Sequence, residues 1–290
     1  MDPDSAVSQA PLSAHISIAG GTGQAPARAT AIGATAMQMF TKMANRWAER
    51  ECVDEECQAF TAALALTDVA VTAAHDSYLI NLASPDPVLH ARSFESYLWE
   101  LRRSDALGLD FLVSHPGNYI SDHASGLARN AESIGAALQQ VPGRARILLE
   151  FTAGAGTVLG WSFEEMAQLI QMIPASERTR VGVCIDTAHV FAAGYDIVTN
   201  YDGVWTRFAD VVGMERLHMM HLNDSKTPLG SRRDRHELIG EGAIGEGAFR
   251  RIMNDQRLAH VAKVIETPKL EEDVTDRLML ARLRGYIGVE

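Results

Sequence analysis

Six residues that could bind a metal ion recur along the sequence at nearly regular intervals: His75, His115, Glu150, Asp186, His221 and Glu266. They are separated by 40, 35, 36, 35 and 45 residues, each about the length of one strand with its helix. Six ionisable side chains in one pocket would be costly to desolvate unless cations bound them. The pattern therefore predicts a metal cluster, to which His189, Asp234 and His236 add three candidate ligands.

These residue types also indicate which metal and which chemistry to expect. Mixed imidazole and carboxylate ligands suit zinc, with manganese or iron as substitutes. Nine ligands, at three or four per metal with one bridging carboxylate, suffice for about three ions. Two or more closely spaced cations typically catalyse hydrolysis at phosphorus, because they generate hydroxide and stabilise both the attacking and the leaving oxygen.

The elements that would position these residues are clearest between Val181 and His189. An apolar, β-branched run predicts a buried parallel strand that ends at Asp186, with His189 in the following turn. Taken alone, this segment favours a simpler interpretation, in which Asp186 caps a helix and His189 is an ordinary polar residue. Only the repetition of the pattern in successive units favours a shared site.

Alternating strands and helices run along the whole chain and predict an α/β fold, a single (β/α)8 TIM barrel. The predicted strands cover residues 12–17, 34–40, 69–75, 109–114, 146–150, 181–186, 217–224 and 261–268. The carboxyl ends of barrel strands surround one opening, so the candidate ligands should converge there. We expect residues 1–10 to be a flexible tail and residues 11–290 to form one catalytic domain.

Composition narrows the classes of protein that remain. No apolar run is long enough to span a membrane and the amino terminus lacks a signal-peptide layout, so we expect a cytoplasmic protein without a membrane partner. Three cysteines without a Cys-x-x-Cys motif favour free thiols. The formal charge of −11 argues against a nucleic-acid partner, although bound cations or a local basic stripe can outweigh it.

Several segments carry a specific resemblance to the endonuclease IV family of abasic-site DNA endonucleases. They include Ala14-His-Ile-Ser17, His75-Asp-Ser-Tyr-Leu-Ile-Asn-Leu82, His115-Pro-Gly117, Val181-Gly-Val-Cys-Ile-Asp-Thr-Ala-His189, His221-Leu-Asn-Asp224, Ser231-Arg-Arg-Asp-Arg-His236 and Glu266-Thr267. Together they span nearly the whole chain. The resemblance implies a (β/α)8 barrel that holds three zinc ions and acts on double-stranded DNA with abasic or 3′-blocked sites. We expect the protein to be a monomer.

The resemblance also implies a division of the ligands. His75 and His115 would hold one zinc, and Glu150 would bridge it to a second. That second zinc would be held by Asp186, His221 and Glu266, and the third by His189, Asp234 and His236.

The implied reaction is hydrolysis of the phosphodiester 5′ to an abasic site, with Glu150 and Glu266 as catalytic residues that orient a zinc-activated hydroxide. The products would be a 3′-hydroxyl and a 5′ deoxyribose phosphate. Removal of blocking groups from damaged 3′ ends would follow the same chemistry.

By the same resemblance, Tyr78 and the loop from Lys42 to Trp47, including Arg46, would contact DNA with the abasic nucleotide turned out of the helix. The sequence departs from the family pattern in this loop, where Arg46 is displaced by one position. It also departs at Phe151, which replaces the asparagine usual after the bridging glutamate and puts a supporting hydrogen bond to the metal ligands in question.

Two alternatives remain open. A TIM-barrel sugar isomerase or epimerase also binds metal at strand ends, but it normally uses one or two ions held mainly by carboxylates. A metal-stabilised DNA-binding protein without catalysis is the second alternative.

Overall fold

Eight parallel strands form a closed barrel in the computed structural model, which describes residues 10–47 and 51–289. The barrel strands are β1 (Leu12–Ile16), β2 (Ala36–Phe40), β3 (Val71–His75), β4 (Phe111–Ser114), β5 (Arg146–Glu150), β6 (Val181–Asp186), β7 (Leu217–His221) and β10 (Ala262–Ile265). Their order around the ring is β1-β10-β7-β6-β5-β4-β3-β2, and β1 pairs with both β10 and β2. The predicted (β/α)8 barrel is thereby confirmed, whereas the predicted tail falls, apart from Ala10, outside the described residues.

Helices connect the strands in the expected alternation. They are α1 (Ala25–Ala31), α2 (Asp54–Leu64), α3 (Pro87–Ala106), α4 (His123–Gln140), α5 (Phe163–Met172), α6 (Thr187–Ala193), α7 (Tyr201–Val211), α8 (Glu246–Asn254) and α9 (Glu272–Arg284). The strand predicted over residues 217–224 is too long, because β7 ends at His221. The next segment forms a short antiparallel pair instead, β8 (Asp224–Ser225) with β9 (His236–Glu237).

The strands divide their side chains between two faces, as the two-residue period of a strand requires. One face packs against the surrounding helices in the main hydrophobic core. The other face fills the barrel with one compact layer: Ala36, Ala73, Val113, Leu148, Cys184, Met219, Ala262 and Val264. This layer is the floor beneath the opening at the carboxyl ends of the strands.

Within residues 10–47 and 51–289, no helix has the length and apolar content that crossing a bilayer requires.

Candidate metal centre

The six strand-end ligand candidates form the layer directly above the barrel floor. Each follows a floor residue by two positions, in the pairs Ala73 and His75, Val113 and His115, Leu148 and Glu150, Cys184 and Asp186, Met219 and His221, and Val264 and Glu266. Two residues is one full period of a strand, so all six side chains point into the barrel opening. The register of the strands therefore brings the predicted residues together.

The first group that could hold a metal ion consists of His75, His115 and Glu150. The Nε2 atom of His75 lies 3.0 Å from Glu150 Oε2, and the Nε2 atom of His115 lies 3.1 Å from the same oxygen. His75 and Glu150 are buried, whereas the side chain of His115 is 37% exposed. The group is thus open to solvent on the His115 side.

The second group shares Glu150 with the first and adds Asp186, His221 and Glu266. His221 Nδ1 lies 3.1 Å from Glu150 Oε1 and 3.4 Å from Glu266 Oε2. Glu150 therefore presents Oε2 to the first group and Oε1 to the second. This is the geometry expected of a bridging carboxylate.

The third group contains Asp186, His189 and His236. Asp234 touches both imidazoles, with Oδ2 at 3.2 Å from His189 Nε2 and Oδ1 at 3.1 Å from His236 Nε2. Asp186 Oδ2 also lies 3.4 Å from His236 Nε2. The structure thus places Asp186 in two groups, where the family resemblance implied only the second.

Asp186 also caps helix α6, because its Oδ1 atom accepts a hydrogen bond from the backbone N–H of His189 at 3.0 Å. The capping interpretation and the site interpretation of this residue are therefore compatible. The cap fixes the first turn of α6, and that turn carries His189 back over the barrel opening.

Four of the five imidazoles are oriented through their second ring nitrogen. His75 Nδ1 donates to the backbone oxygen of Asp76 at 2.9 Å, and His189 Nδ1 donates to that of Phe151 at 2.8 Å. His236 Nδ1 donates to the backbone oxygen of Glu266 at 3.2 Å. Metal-binding histidines are typically held in this way, since the bond selects the tautomer that leaves the other nitrogen free.

The fourth imidazole is held by Gln38, a residue that the sequence analysis missed. His221 Nε2 donates to Gln38 Oε1 at 2.8 Å, and Gln38 Nε2 donates to Glu266 Oε1 at 2.8 Å. His15 lies beside them, with Nδ1 at 3.4 Å from Glu266 Oε1. The position of both residues could have been found from the sequence, because His15 and Gln38 occupy in β1 and β2 the same layer as the ligand candidates in the other strands.

Asn223 supports the carboxylates of the second group. Its Nδ2 atom donates to Asp186 Oδ2 at 2.7 Å, and its Oδ1 atom accepts from the backbone N–H of Glu266 at 2.8 Å. One buried amide thereby links the ends of β6 and β10 across β7.

The mutual attraction of imidazoles and carboxylates shifts their pKa values strongly. Burial by itself lowers the pKa of His189, but Asp186, Asp234 and Glu150 together raise it to about 10. Burial likewise opposes a raised pKa at His75 and His236, yet neighbouring carboxylates raise both to about 9. In the opposite sense, His115 and His221 hold the pKa of Glu150 well below its usual range despite burial.

The donor set fits divalent metal ions. The three groups supply imidazole nitrogens and carboxylate oxygens in the mixture that zinc prefers. The Nε2 atom of His236 is buried without a hydrogen-bond partner among the described residues, and it faces Asp186 and Asp234. A cation would give that nitrogen a ligand bond and would offset the charge of the carboxylates.

The residues predicted to contact DNA differ in their exposure to solvent. Tyr78 is 67% exposed, and its ring packs against Phe40 and His75 with centroids 5.3 and 6.1 Å away. It therefore stands at the rim of the first group. Arg46 is exposed, and Trp47 is half-buried beneath the guanidinium of Arg92, 4.6 Å from the ring centroid.

Lys42 faces the interior rather than the rim. Its Nζ atom lies 2.9 Å from Ser96 Oγ and 3.8 Å from Glu100 Oε1, and its side chain is 4% exposed. In this conformation the side chain anchors the loop to α3. Its contact with DNA stays a prediction.

A basic segment lies beside the third group. Arg232, Arg233 and Arg235 are exposed and alternate with the acidic and imidazole ligand candidates Asp234 and His236. Arg232 has a backbone φ of 53°, and its guanidinium stacks on Trp161 at 4.6 Å from the ring centroid. The acidic chain therefore carries a local cluster of positive charge next to the candidate site.

Comparisons with known proteins agree with this geometry. Residues 26–283 match the family model described as a xylose isomerase-like TIM barrel. The chain is 44% identical over 280 residues to the probable endonuclease 4 of Chloroflexus aggregans, covering 95% of this chain and 97% of the relative. It is 40% identical over 280 residues to the probable endonuclease 4 of Geobacter sulfurreducens, covering 95% and 94%.

A solved structure of an endonuclease IV is also similar to this chain. The crystal structure of endonuclease IV from Thermus thermophilus superposes with a TM-score of 0.84 at 35% identity, covering 95% of this chain and 99% of that one. A D-tagatose 3-epimerase-like protein superposes with a TM-score of 0.70 at 14% identity, covering 95% and 96%. The second likeness concerns the fold alone.

Proposed function

This chain belongs to the endonuclease IV family, and from that premise we propose that it hydrolyses the DNA phosphodiester on the 5′ side of an abasic site. The products are a 3′-hydroxyl and a 5′ deoxyribose phosphate. Blocked 3′ ends are a second substrate of the same centre. The observation that best supports the proposal is that the three ligand groups share carboxylates: Glu150 belongs to the first and second groups, and Asp186 to the second and third.

We infer that the centre would hold three zinc ions, with manganese or iron as substitutes. His75, His115 and Glu150 would hold the first, and Glu150, Asp186, His221 and Glu266 would hold the second. His189, Asp234 and His236 would hold the third, with Asp186 near enough to contribute. The chemistry of the donors supports this assignment, since each group combines at least one imidazole with at least one carboxylate.

When bound, divalent cations at these groups lower the pKa of water and neutralise the charge that builds on the phosphate and on the departing 3′ oxygen. Glu150 directs one oxygen to each of the first two groups, so its carboxylate can orient a water held between them. Gln38 fixes Glu266 Oε1, so Oε2, which faces His221, is the oxygen that would serve the second group and orient a water there. Glu150 and Glu266 are therefore the catalytic residues of the proposal.

Tyr78 is well placed to contact the DNA, because it is exposed beside the first group. Arg46 and Trp47 extend that rim, and Lys42 joins them only if its side chain leaves Ser96 and Glu100. Arg232, Arg233 and Arg235 would bind DNA phosphates next to the third group. This local positive charge would allow DNA binding although the whole chain has a formal charge of −11. The protein acts as a monomer in the cytoplasm.

The deciding experiment uses a duplex with one synthetic abasic site, labelled on both strands. The purified protein is assayed as isolated, after chelation, and after zinc is restored. We expect incision that chelation abolishes and zinc restores, and a 3′ end that a DNA polymerase extends. Glu150→Gln should lose activity by several orders of magnitude, whereas Glu132→Gln, on the exposed face of α4, should retain it.

Two results would contradict the proposal in different ways. Turnover of a ketose together with an intact abasic strand would favour the sugar isomerase alternative. Tight binding of abasic DNA by the zinc-loaded protein without incision would favour the non-catalytic alternative.

A further inference from the structure

Two cysteines meet at the start of helix α2, well outside the groups described above. Cys52 Sγ and Cys57 Sγ lie 2.8 Å apart, and both residues are partly buried. Cys57 Sγ also lies 3.8 Å from the backbone oxygen of Cys52. The sequence favoured free thiols, and the structure adds that two of the three face each other.

The helix itself explains why the two thiols meet. Val53 is the N-cap of α2, so Cys52 occupies the position before the cap and Cys57 the fourth position of the helix. Side chains at these two positions characteristically pack together as a staple that fixes the entry of the chain into the helix. Here both members of the staple are cysteines, so the contact is one that oxidation can make covalent.

The spacing of the sulfur atoms favours a disulfide over a metal site. Two thiolates on one tetrahedral zinc ion lie about 3.8 Å apart, since each Zn–S bond is about 2.3 Å long. The observed 2.8 Å is shorter. Closing that gap to a disulfide bond of about 2.0 Å needs less than about 1 Å of movement.

We propose that Cys52 and Cys57 form a reversible disulfide, a thiol-oxidation site whose reactant is a peroxide. One thiol attacks hydrogen peroxide, breaks the O–O bond, becomes a sulfenic acid and releases one water. The other sulfur attacks the sulfenic sulfur and loses its proton, and hydroxide departs as a second water. Two thiols give up two electrons and two protons, and one peroxide becomes two waters.

The bond would add a covalent restraint at the start of α2. Val53 provides no side-chain hydrogen bond to cap this helix, so the staple is one of the contacts that hold its first turn. In that turn, Glu56 Oε1 accepts from Thr22 Oγ1 at 2.8 Å and from Arg103 Nη2 at 3.2 Å. Arg103 Nη2 also donates to the backbone oxygen of Thr41, at the start of the loop that holds Lys42 to Trp47. Oxidation would therefore stiffen one end of a network that reaches this loop.

The test treats the full-length, zinc-loaded protein with hydrogen peroxide, followed by alkylation and tryptic digestion. Both cysteines lie in one tryptic peptide, residues 51–92. We expect that peptide to become lighter by two hydrogens and to resist alkylation until a reductant is added. Formation should be faster at higher pH, because burial and the contact with Cys57 raise the pKa of Cys52 to about 12.

Single variants and a second measurement complete the test. Cys52→Ser and Cys57→Ser should each abolish the two-hydrogen change, while buried Cys184 stays available for alkylation after unfolding in every sample. Amide exchange over the first turn of α2 should slow on oxidation of the wild-type protein and stay constant in the Cys52→Ser variant. Full alkylation of both cysteines after peroxide, oxygen addition without loss of hydrogen, or a disulfide between two chains would each overturn the proposal.

Discussion

The Nδ1 atom of His189 donates a hydrogen bond to the backbone carbonyl oxygen of Phe151, 2.8 Å away. The family pattern has asparagine at this position, and its replacement put a supporting hydrogen bond in question. The bond to His189 comes from the main chain, so a change of side chain does not remove it. The Phe151 ring is instead fully buried against Phe163 and Tyr195.

Phe151→Leu should therefore lower the stability of the protein without changing its metal binding. The smaller side chain leaves part of an aromatic contact empty, and we expect the free energy of unfolding to fall by about 1 to 2 kcal/mol. Zinc content should stay at the wild-type value, whereas His189→Ala should lose zinc from the third group. Urea unfolding and elemental analysis measure the two effects, and zinc loss in Phe151→Leu would contradict this account.

Gln38→Leu should weaken metal binding without unfolding the barrel. The substitution keeps a similar volume but removes the hydrogen bonds to His221 and Glu266. Loss of such a supporting residue typically lowers metal affinity roughly 10- to 100-fold. Competition with a coloured chelator measures it, and Gln140→Leu, at the exposed end of α4, is the matched control. Equal affinities in the two variants would mean that Gln38 does not position the ligands.

Asp224→Ala should destabilise the loop that carries Asp234 and His236. The buried carboxylate of Asp224 accepts hydrogen bonds from the backbone N–H groups of Gly240, Gly242, Ile244 and Gly245 at 2.9 to 3.2 Å. Without it several donors lose their partner, and we expect a loss of about 3 kcal/mol or more in the free energy of unfolding.

A second substitution tests the same contact at the residue that packs against the Asp224 carboxylate. A Cβ atom at Gly242 would lie 2.5 Å from Asp224 Oδ1, so Gly242→Ala should also be destabilising. Asp210→Asn, on the exposed face of α7, should unfold at the wild-type urea concentration. Wild-type stability in both loop variants would show that this network does not hold the loop.

Lys263→Met should change how stability depends on pH. Lys263 is buried and donates to the backbone oxygens of Leu258 and Val261, and burial lowers its pKa from 10.5 to about 8. Between these values the unfolded chain binds a proton that the folded chain does not, so wild-type stability rises with pH. The rise attributable to this group is about 3 kcal/mol, at roughly 1.36 kcal/mol per pKa unit.

The measurement is urea unfolding of both proteins at intervals from about pH 7 to about pH 11. The difference between wild type and variant isolates Lys263 from other titrating groups. It should shift in favour of the wild type as the pH rises and level off on either side of the window. A difference independent of pH would mean that Lys263 keeps its ordinary pKa in the folded state.

The barrel and its ligand layer could be predicted because strand periodicity is a local property. A residue two positions after an apolar floor residue must point the same way, and six such positions hold His, Asp or Glu. His15 and Gln38 lie in the same layer, on β1 and β2. Their position in this layer could therefore be predicted from the sequence. The role of Gln38 could not, because an amide is not a typical zinc ligand and a glutamine does not indicate a metal site.

Other features depend on contacts between distant segments. Lys42 has the charge of a DNA-binding residue, but its side chain is buried because it contacts Ser96 and Glu100 on α3. Asp186 joins two groups because the segment after β7 folds back to bring His236 beside it. The role of Asp224 depends on backbone N–H groups, which every residue except proline has and which no motif reveals.

The hydrogen bonds of Gln38 also set the order in which the site can form. Gln38 is separated by 183 residues from His221 and by 228 from Glu266. Contacts at such sequence separation form late in folding, because a long loop must close first. A ribosome releases the amino-terminal strands well before the strand that precedes Glu266, so the growing chain lacks a complete second group until Glu266 itself has been made. Metal loading of the second group is therefore expected only after the chain has been made through Glu266, whereas every ligand of the first group is already present once Glu150 has been made.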